Sequence, residues 1–374
     1  MDRSSRVQRT TQVAVIAIFL AAISLPLGGK LLGLESAFAL TENRRPAPLP
    51  TIELKGWSLV SFPRRFERYW NDSFAFRRYL IRWHGLTKLG LGLSPSPKVV
   101  LGKDGYLFYA AEQSVDYFRA AKPFSPIELA RWRDDLEGRR AWLAERGIRY
   151  LVVVAPNKET IYPEYMPEGI RPVRPETRLD QLLKELRENS NVAVLDLRGA
   201  LRRAKLDGRV YHKTDTHWND AGAFVAYREI LAQLQKLVPG IDGNPAPISF
   251  QAQRTDGLDL ARLTALEDRF PEEQINAILR KPRQAREAKG DPTESFTTTE
   301  VAVMECATCG EARAVMFHDS FNTNVAPFLA EHFGRIVYVS GSSLNRALIQ
   351  HERPSVVIQE FVERYLMCPD LRGC

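Results

Sequence analysis

The sequence predicts an α/β protein with a mainly parallel sheet, helices on both faces, and one N-terminal transmembrane helix. Three observations carry this. Short continuous apolar runs such as residues 150–155 and 314–317 recur with helical stretches between them. A strand buried on both faces reads as such a run, and strand–helix alternation closes into a parallel sheet. The uncharged stretch 10–29 follows Arg3, Arg6 and Arg9 and just suffices to span a bilayer. Finally, 374 residues at 44% hydrophobic and 26% charged describe a globular chain, long enough for one large domain or two smaller ones.

The N-terminal arginines place that end in the cytoplasm and the remaining chain outside it. A cleaved signal peptide is the rival, with Ala37-Phe38-Ala39 as a small-residue cleavage pattern. Lys30 and Glu35, between the apolar core and that pattern, favour an uncleaved anchor. Residues 1–40 are therefore expected to form a cytoplasmic N-terminus and anchor helix, and residues 41–98 a tether followed by a cap. Arg44, Arg45, Pro46 and Pro48 mark the tether. The stretch 57–83 repeats aromatic and basic residues at roughly helical spacing, which predicts an amphipathic helical cap, with a membrane-surface helix as the alternative.

The main domain is expected over 99–374. Residues 99–108 read as a hairpin turning at Lys103-Asp104-Gly105. A helix runs from Pro126 to about Arg146, with Pro126 in its first turn and Gly147 as its stop. A strand at 150–155, a helix at 178–188 and a strand at 192–197 follow. Asn219 or Asp220 caps a helix carrying Phe224, Val225, Leu231 and Leu234. Strands are expected at 314–317, 336–339 and 356–359, with helices at 322–333 and 343–350. Residues 239–311 are polar, proline-bearing and weakly periodic, and read as an insertion near the active-site edge.

The net charge of +7 suits an anionic partner such as an acidic polysaccharide or lipid headgroups. Without a zinc finger, an RNA-binding signature or a dense Lys/Arg tract, nucleic acid is not expected. No glycine-rich phosphate loop follows a strand. Cys306, Cys309, Cys368 and Cys374 are an even set, which in an exported protein predicts two structural disulfides of open connectivity. The Cys306-x-x-Cys309 pair also fits a redox motif or half a zinc site, but no thioredoxin-like context or accompanying histidines support either.

The chemistry concentrates in two short stretches. In Lys213-Thr214-Asp215-Thr216-His217-Trp218-Asn219, an extended backbone puts Asp215 and His217 on one face, where a carboxylate can orient an imidazole base. In Val315-Met316-Phe317-His318-Asp319-Ser320-Phe321, an apolar strand ends in a serine ahead of a helical stretch. Sites in open α/β sheets form at such strand ends, and the following N–H groups with the positive helix end would stabilise an oxyanion. Ser320 is then the candidate nucleophile, His217 its base and Asp215 the orienting acid. The plainer reading makes Ser320 a helix cap and His217 a packed residue beside Trp218.

With these motifs the chain resembles the SGNH-hydrolase-like acetyltransferases of the alginate O-acetylation family (AlgJ/AlgX-like). Their Asp-x-His-Trp motif precedes an Asp-Ser-Phe motif, here Asp215-Thr216-His217-Trp218 and Asp319-Ser320-Phe321. Glu42-Asn43-Arg44, the run from Gly102 to Phe108, the run from Pro156 to Pro163, and Val362-Glu363-Arg364 also match. The resemblance implies transfer of an acetyl group through Ser320 to an exopolysaccharide hydroxyl in the periplasm, at the inner membrane. A membrane-bound O-acyltransferase would supply the acetyl group, and neither metal nor cofactor is called for. A polysaccharide acetylesterase with the same three residues, and a non-catalytic scaffold, are the alternatives.

Two departures from the family pattern stand out. Gly257-Leu258-Asp259-Leu260 replaces the usual Gly-Asp-Leu run, and His318 stands where glycine is common, a candidate competing base against a packed or solvent-facing histidine. Candidate substrate-binding residues are Lys158, Trp218, Phe321, Asn322 and Arg364. Lys158 in the strand-exit loop would hold an acidic sugar or polarise the acetyl carbonyl, against a plain surface lysine. For Arg364 the plain alternative is an ion pair with Glu360 or Glu363.

Overall fold

The computed structural model describes residues 3–33, 46–51, 57–245, 247–291, 293 and 299–371. The Ala37–Ala39 pattern, Glu42-Asn43-Arg44 and Cys374 lie outside the described residues. The chain divides into two compact units. One comprises residues 1–96 with 262–267, and the other residues 97–261 with 268–374.

In the first unit a helix spans Arg3–Leu31, and its portion Gln8–Lys30 is long and apolar enough to cross a membrane. Lys30 Nζ donates to Tyr69 Oη and Ser73 Oγ, both at 2.7 Å. The stretch expected to form an amphipathic helical cap holds two helices, Trp57–Ser73 and Arg77–Gly90. They part at Phe76, whose φ of 65° is left-handed and ends helical hydrogen bonding. Phe66 stacks between Phe62 and Trp70, with ring centroids 5.9 and 6.4 Å away, as one-turn spacing allows.

The second unit is built on a seven-stranded sheet. Its strands, with a separate hairpin pair at each of two places, are β1 (Val99–Leu101), β2 (Leu107–Tyr109), β3 (Arg149–Ala155), β4 (Ala193–Asp196), β5 (Ile248–Thr255), β6 (Glu272–Leu279), β7 (Arg286–Glu287), β8 (Val301–Glu305), β9 (Arg313–His318), β10 (Arg335–Ser340) and β11 (Val356–Val362). The sheet order is β4-β3-β11-β9-β10-β8-β7. The five strands from β4 to β10 are parallel, while β8 runs antiparallel to β10 and β7 antiparallel to β8. β1 and β2 form the expected hairpin.

Successive residues of the central strands go to opposite cores, as the pleat requires. Leu151, Val153, Met316 and Ile358 face the helix Asp220–Leu237 through Ala223, Ala226, Ile230 and Leu234. Tyr150, Val152, Val315, Phe317 and Val357 face the helices Pro126–Ala144 and Arg178–Asn189 through Trp132, Leu136, Leu179 and Leu182. Each fully buried side chain of this kind stabilises the fold by about 1.5–3 kcal/mol. The helix starts are chemically explicit. Ser125 with Glu128 and Thr177 with Asp180 form reciprocal capping boxes, and Asn219 Oδ1 accepts from Gly222 N–H at 3.0 Å.

The expected helix at 322–333 is instead a 3₁₀ turn Ser320–Asn324, one helical turn Ala326–Leu329 and a second 3₁₀ turn Ala330–His332. Pro327 explains the break, because its ring admits only the first turn of a helix. The last expected helix forms at Arg346–Glu352, three residues late, where Asn345 caps it. Residues 239–311 are more than an insertion. They supply β7 and β8 to the main sheet, and β5 and β6, two eight-residue antiparallel strands, pack through β6 against the helix Asp220–Leu237.

Candidate active site

The site lies at the C-terminal ends of β3, β9 and β11. A single bridge pairs Tyr211 with Trp218, and His212 N–H donates to His217 O, so residues 212–217 form a narrow turn. Within it, the His217 backbone N–H donates to Asp215 Oδ1 at 2.9 Å. The ring follows: Nδ1 lies 2.7 Å from the same oxygen, and Nε2 lies 2.8 Å from Ser320 Oγ. With Nδ1–H donating to the carboxylate, Nε2 is left as the acceptor for the serine hydroxyl.

Asp215 and His217 keep 17% and 28% of their side chains exposed, and Ser320 is exposed, so the reacting end opens to solvent. Burial disfavours the Asp215 carboxylate, but the bond and charge of His217 outweigh it and hold the acid well below the usual range. For His217, burial opposes the imidazolium. The Asp215 bond and charge, then Asp259 and Asp319, prevail and raise it above an ordinary histidine.

Three groups fix this turn from outside. Lys158 is buried, contrary to both readings from sequence, and does not line an open site. Its Nζ donates to the carbonyls of His212, Lys213 and Asp215 at 3.2, 2.9 and 2.6 Å. Burial pulls its ammonium down to about 8 despite Asp259 and Asp215 nearby. Glu272, the first residue of β6, accepts from Thr214 N–H at 2.8 Å and Thr214 Oγ1 at 2.7 Å, and Arg209 pairs with its other oxygen at 2.7 Å. Asp259 Oδ1 accepts from Thr216 N–H at 2.9 Å. The carboxylate oxygens of Asp215 and Asp259 and the His217 ring nitrogen lie within 4.8 Å of one another.

Asp319 organises the serine turn. Its Oδ1 accepts from Phe321 N–H and its Oδ2 from Val362 N–H, both at 2.8 Å, tying the turn to the end of β11. This corrects the expected oxyanion donors: the Phe321 N–H is already engaged, and a single 3₁₀ turn has no long-helix dipole to offer. Trp218 Nε1 donates to Phe321 O at 3.1 Å, and the two rings meet edge to face at 5.0 Å. Both side chains are almost fully buried, so they form the floor of the site. The Asn322 amide is also buried, and neither of its polar atoms has a hydrogen-bond partner among the described residues.

Arg364 pairs with Glu112 at 2.8 Å rather than with Glu360 or Glu363, and its guanidinium lies 6.0 Å from the Phe321 ring. His318 Nδ1 meets the Asp319 carbonyl at 2.7 Å, and burial lowers its basicity, which disfavours it as a competing base. Both ring nitrogens of His217 are engaged, Nδ1 with Asp215 and Nε2 with Ser320. Cys306 and Cys309 are disulfide-bonded to each other, so this CxxC is neither a free dithiol nor half a zinc site.

Sequence reasoning missed Glu272 and left Asp259 in doubt. Both lie in the segment read as an insertion, and both act on backbone N–H groups, which carry no sequence signature. The Gly-Leu-Asp-Leu run was the available signal for Asp259.

Comparison with known proteins agrees with this architecture. Residues 99–311 match the family described as an SGNH hydrolase-like domain, acetyltransferase AlgX. That range contains Asp215, His217, Asp259 and Glu272 and ends before Ser320. A probable alginate O-acetylase AlgJ of Pseudomonas syringae pv. tomato is 26% identical over 374 residues, covering 96% of this chain and 89% of that protein. A probable alginate O-acetylase AlgJ of Pseudomonas fluorescens is 25% identical over 371 residues, covering 96% and 88%. In fold the chain is similar to PatB1 of Bacillus cereus, with a TM-score of 0.54 at 15% identity over 72% of this chain and 96% of that one. The chain therefore belongs to the AlgX family of SGNH hydrolase-like acetyltransferase domains.

Proposed function

We propose that this protein is an O-acetyltransferase that moves an acetyl group onto hydroxyls of an exopolysaccharide through an acetyl-Ser320 intermediate. The observation that carries the reading is the continuous hydrogen-bonded line from Asp215 through His217 to Ser320, in a chain of an acetyltransferase family. Relatives named as probable alginate O-acetylases, matched over nearly the whole chain, support a polysaccharide acceptor. The net charge of +7 suits an anionic polymer.

Ser320 Oγ attacks the acetyl carbonyl of the donor while His217 Nε2 takes its proton. The donor's leaving group departs with that proton, and the serine ester remains. A sugar hydroxyl then gives its proton to His217 as its oxygen attacks the ester, and the proton returns to Ser320. Asp215 keeps Nδ1 protonated throughout, so Nε2 is always the nitrogen that exchanges.

The apolar helix over Gln8–Lys30 supports anchoring in the inner membrane with the sheet domain in the periplasm. Acetyl donors are made in the cytoplasm, so a membrane-bound O-acyltransferase is the partner that would deliver the acetyl group. The test uses the full chain in detergent with an activated acetyl ester and candidate polysaccharides. Mass spectrometry then follows acetyl on the Ser320 peptide and on the polymer. Acetylated polymer that disappears in Ser320→Ala is the expected result. Free acetate without acetylated polymer would replace the transferase with an esterase, and no Ser320 adduct with any ester would leave a scaffold.

A further inference from the structure

We propose that Asp259 is a positioning residue of this site, whose Oδ1 locks the Asp215–His217 turn and whose charge supports the imidazolium formed when Ser320 yields its proton. The inference rests on the reading of His217 as the base of Ser320.

The geometry separates Asp259 from the surrounding polar residues. It belongs to a short helical turn, Asp259–Arg262, whose start is bound to the site loop. Leu260 N–H donates to Thr214 O at 3.0 Å, and Leu258 N–H donates to Thr214 Oγ1 at 3.1 Å. Asp259 Oδ1 takes the N–H of Thr216, the residue between Asp215 and His217. That bond orients the peptide joining the two side chains, so the carboxylate controls their common face. The carboxylate also lies within 4.8 Å of the His217 ring nitrogen and of Asp215. A bystander that merely fixed a loop would have no reason to bring a second negative charge so close to the first.

Asp215 and Asp319 face His217 along with Asp259, while Asp215, Lys158 and Tyr109 lie within electrostatic reach of Asp259. Burial, then the Asp215 charge, push the Asp259 carboxyl up to about 6, with His217 and Lys158 opposing. Near neutral pH the carboxylate is ionised, and its charge lies beside the imidazole when the ring accepts the serine proton. As the pH falls and Asp259 is protonated, that charge is withdrawn from beside the imidazole.

The experiment replaces Asp259 by asparagine in the full chain. Asparagine still offers an oxygen to Thr216 N–H but carries no charge. A protein labelled with ¹⁵N-histidine reports the His217 titration, its signal identified by its loss in His217→Gln. Two unit charges about 5 Å apart at an effective dielectric near 20 bound the effect at about two pH units, which water access reduces to about one. The His217 midpoint is therefore expected to fall by about one unit in Asp259→Asn, and to stay at the wild-type value in Asp259→Glu. The acidic midpoint of Ser320 labelling by phenylmethylsulfonyl fluoride should move the same way. An unchanged His217 midpoint in a folded Asp259→Asn protein would overturn the proposal and leave Asp259 a loop anchor. If wild-type Ser320 is not labelled at any pH, the nucleophile assignment fails, while the histidine titration still decides the role of Asp259.

Discussion

Trp218 Nε1 donates its proton to the backbone carbonyl of Phe321 at 3.1 Å, so the residue after His217 is bonded to the residue after Ser320. The two halves of the site are 103 residues apart in the chain. This bond, with the edge-to-face contact of the two rings, fixes their separation from beneath. The residues one step earlier in each segment, His217 and Ser320, meet through Nε2 and Oγ at 2.8 Å.

Trp218→Phe should therefore act on both stability and chemistry. It keeps most of the apolar contact and leaves the Phe321 carbonyl buried without its donor, at a cost of about 1–3 kcal/mol. A displacement of about 1 Å between nucleophile and base lowers the rate on the order of 100-fold. Thermal unfolding and the rate of Ser320 labelling by a sulfonyl fluoride measure the two effects. Labelling at the wild-type rate would show that the floor does not set the geometry.

Lys158→Met removes the donors of three carbonyls at once and should destabilise the fold by about 3 kcal/mol or more. The wild-type lysine also leaves a pH signature. Its folded pKa is depressed to about 8 from the ordinary 10.5, so the unfolded chain holds the extra proton between those values. The stabilising contribution of this titration is present above 10.5 and lost as pH falls through about 8. Denaturant unfolding from pH 7.5 to 10.5 should show the difference between wild type and Lys158→Met growing with pH. A pH-independent difference would mean that the lysine is not perturbed.

Gly222→Ala tests how the helix start is seated. A Cβ at Gly222 would lie 2.1 Å from the Val210 carbonyl oxygen and 2.9 Å from Trp218 Cβ. Val210 adjoins the Tyr211–Trp218 bridge, so the clash pushes on the segment that leads into the site turn. The expected loss is about 3 kcal/mol, together with slowed Ser320 labelling. Wild-type melting behaviour in this variant would contradict the packing described here.

How far the sequence could be read depended on whether a signal was local. The central strands were legible because burial on both faces demands continuous apolar runs, as in β3 and β9. Asp215 and His217 were legible because two residues in extended backbone share a face. β5 was not read as a strand, because most of its residues are exposed and its short alternation of Ile248, Phe250 and Ala252 with polar residues gives way to the polar Gln253-Arg254-Thr255. Lys158 and Glu272 were not, because their partners are backbone groups more than 50 residues away. The break in 322–333 was visible in Pro327, which the helical reading passed over.

The disulfide should matter to stability and not to chemistry. Cys306 follows β8, and its N–H donates to Gly334 O at the start of β10, whereas the site lies at the far end of that strand. A rise of about 3.3 Å per residue separates the two ends by about 17 Å. Closing a loop of four residues contributes about 2 kcal/mol on the chain-entropy view. The double variant Cys306→Ser, Cys309→Ser should melt a few degrees earlier and label at Ser320 at the wild-type rate. Lost labelling in a folded double variant would place the disulfide in the path to the site.

The sharpest prediction concerns Asp215. His217 accepts the Ser320 proton only when its ring is neutral, so labelling must fall as pH drops through the imidazole's midpoint. Because Asp215, Asp259 and Asp319 raise that midpoint against the effect of burial, the acidic limb of the pH–rate profile should lie above the ordinary histidine value of 6.5. Asp215→Asn removes the largest of these supports, and the limb should move to lower pH. The asparagine amide can also donate to Nδ1, which would put the ring proton on Nε2 and block its bond to Ser320. The plateau rate should then fall on the order of 10⁴-fold, as it does when a serine–histidine pair loses its carboxylate. A pH series of Ser320 labelling measures both quantities. If the limb shifts but the plateau stays, Asp215 acts through charge alone. If the plateau falls and the limb stays, it acts through the tautomer. If neither changes, the 2.7 Å contact between Asp215 and His217 has no part in activating Ser320.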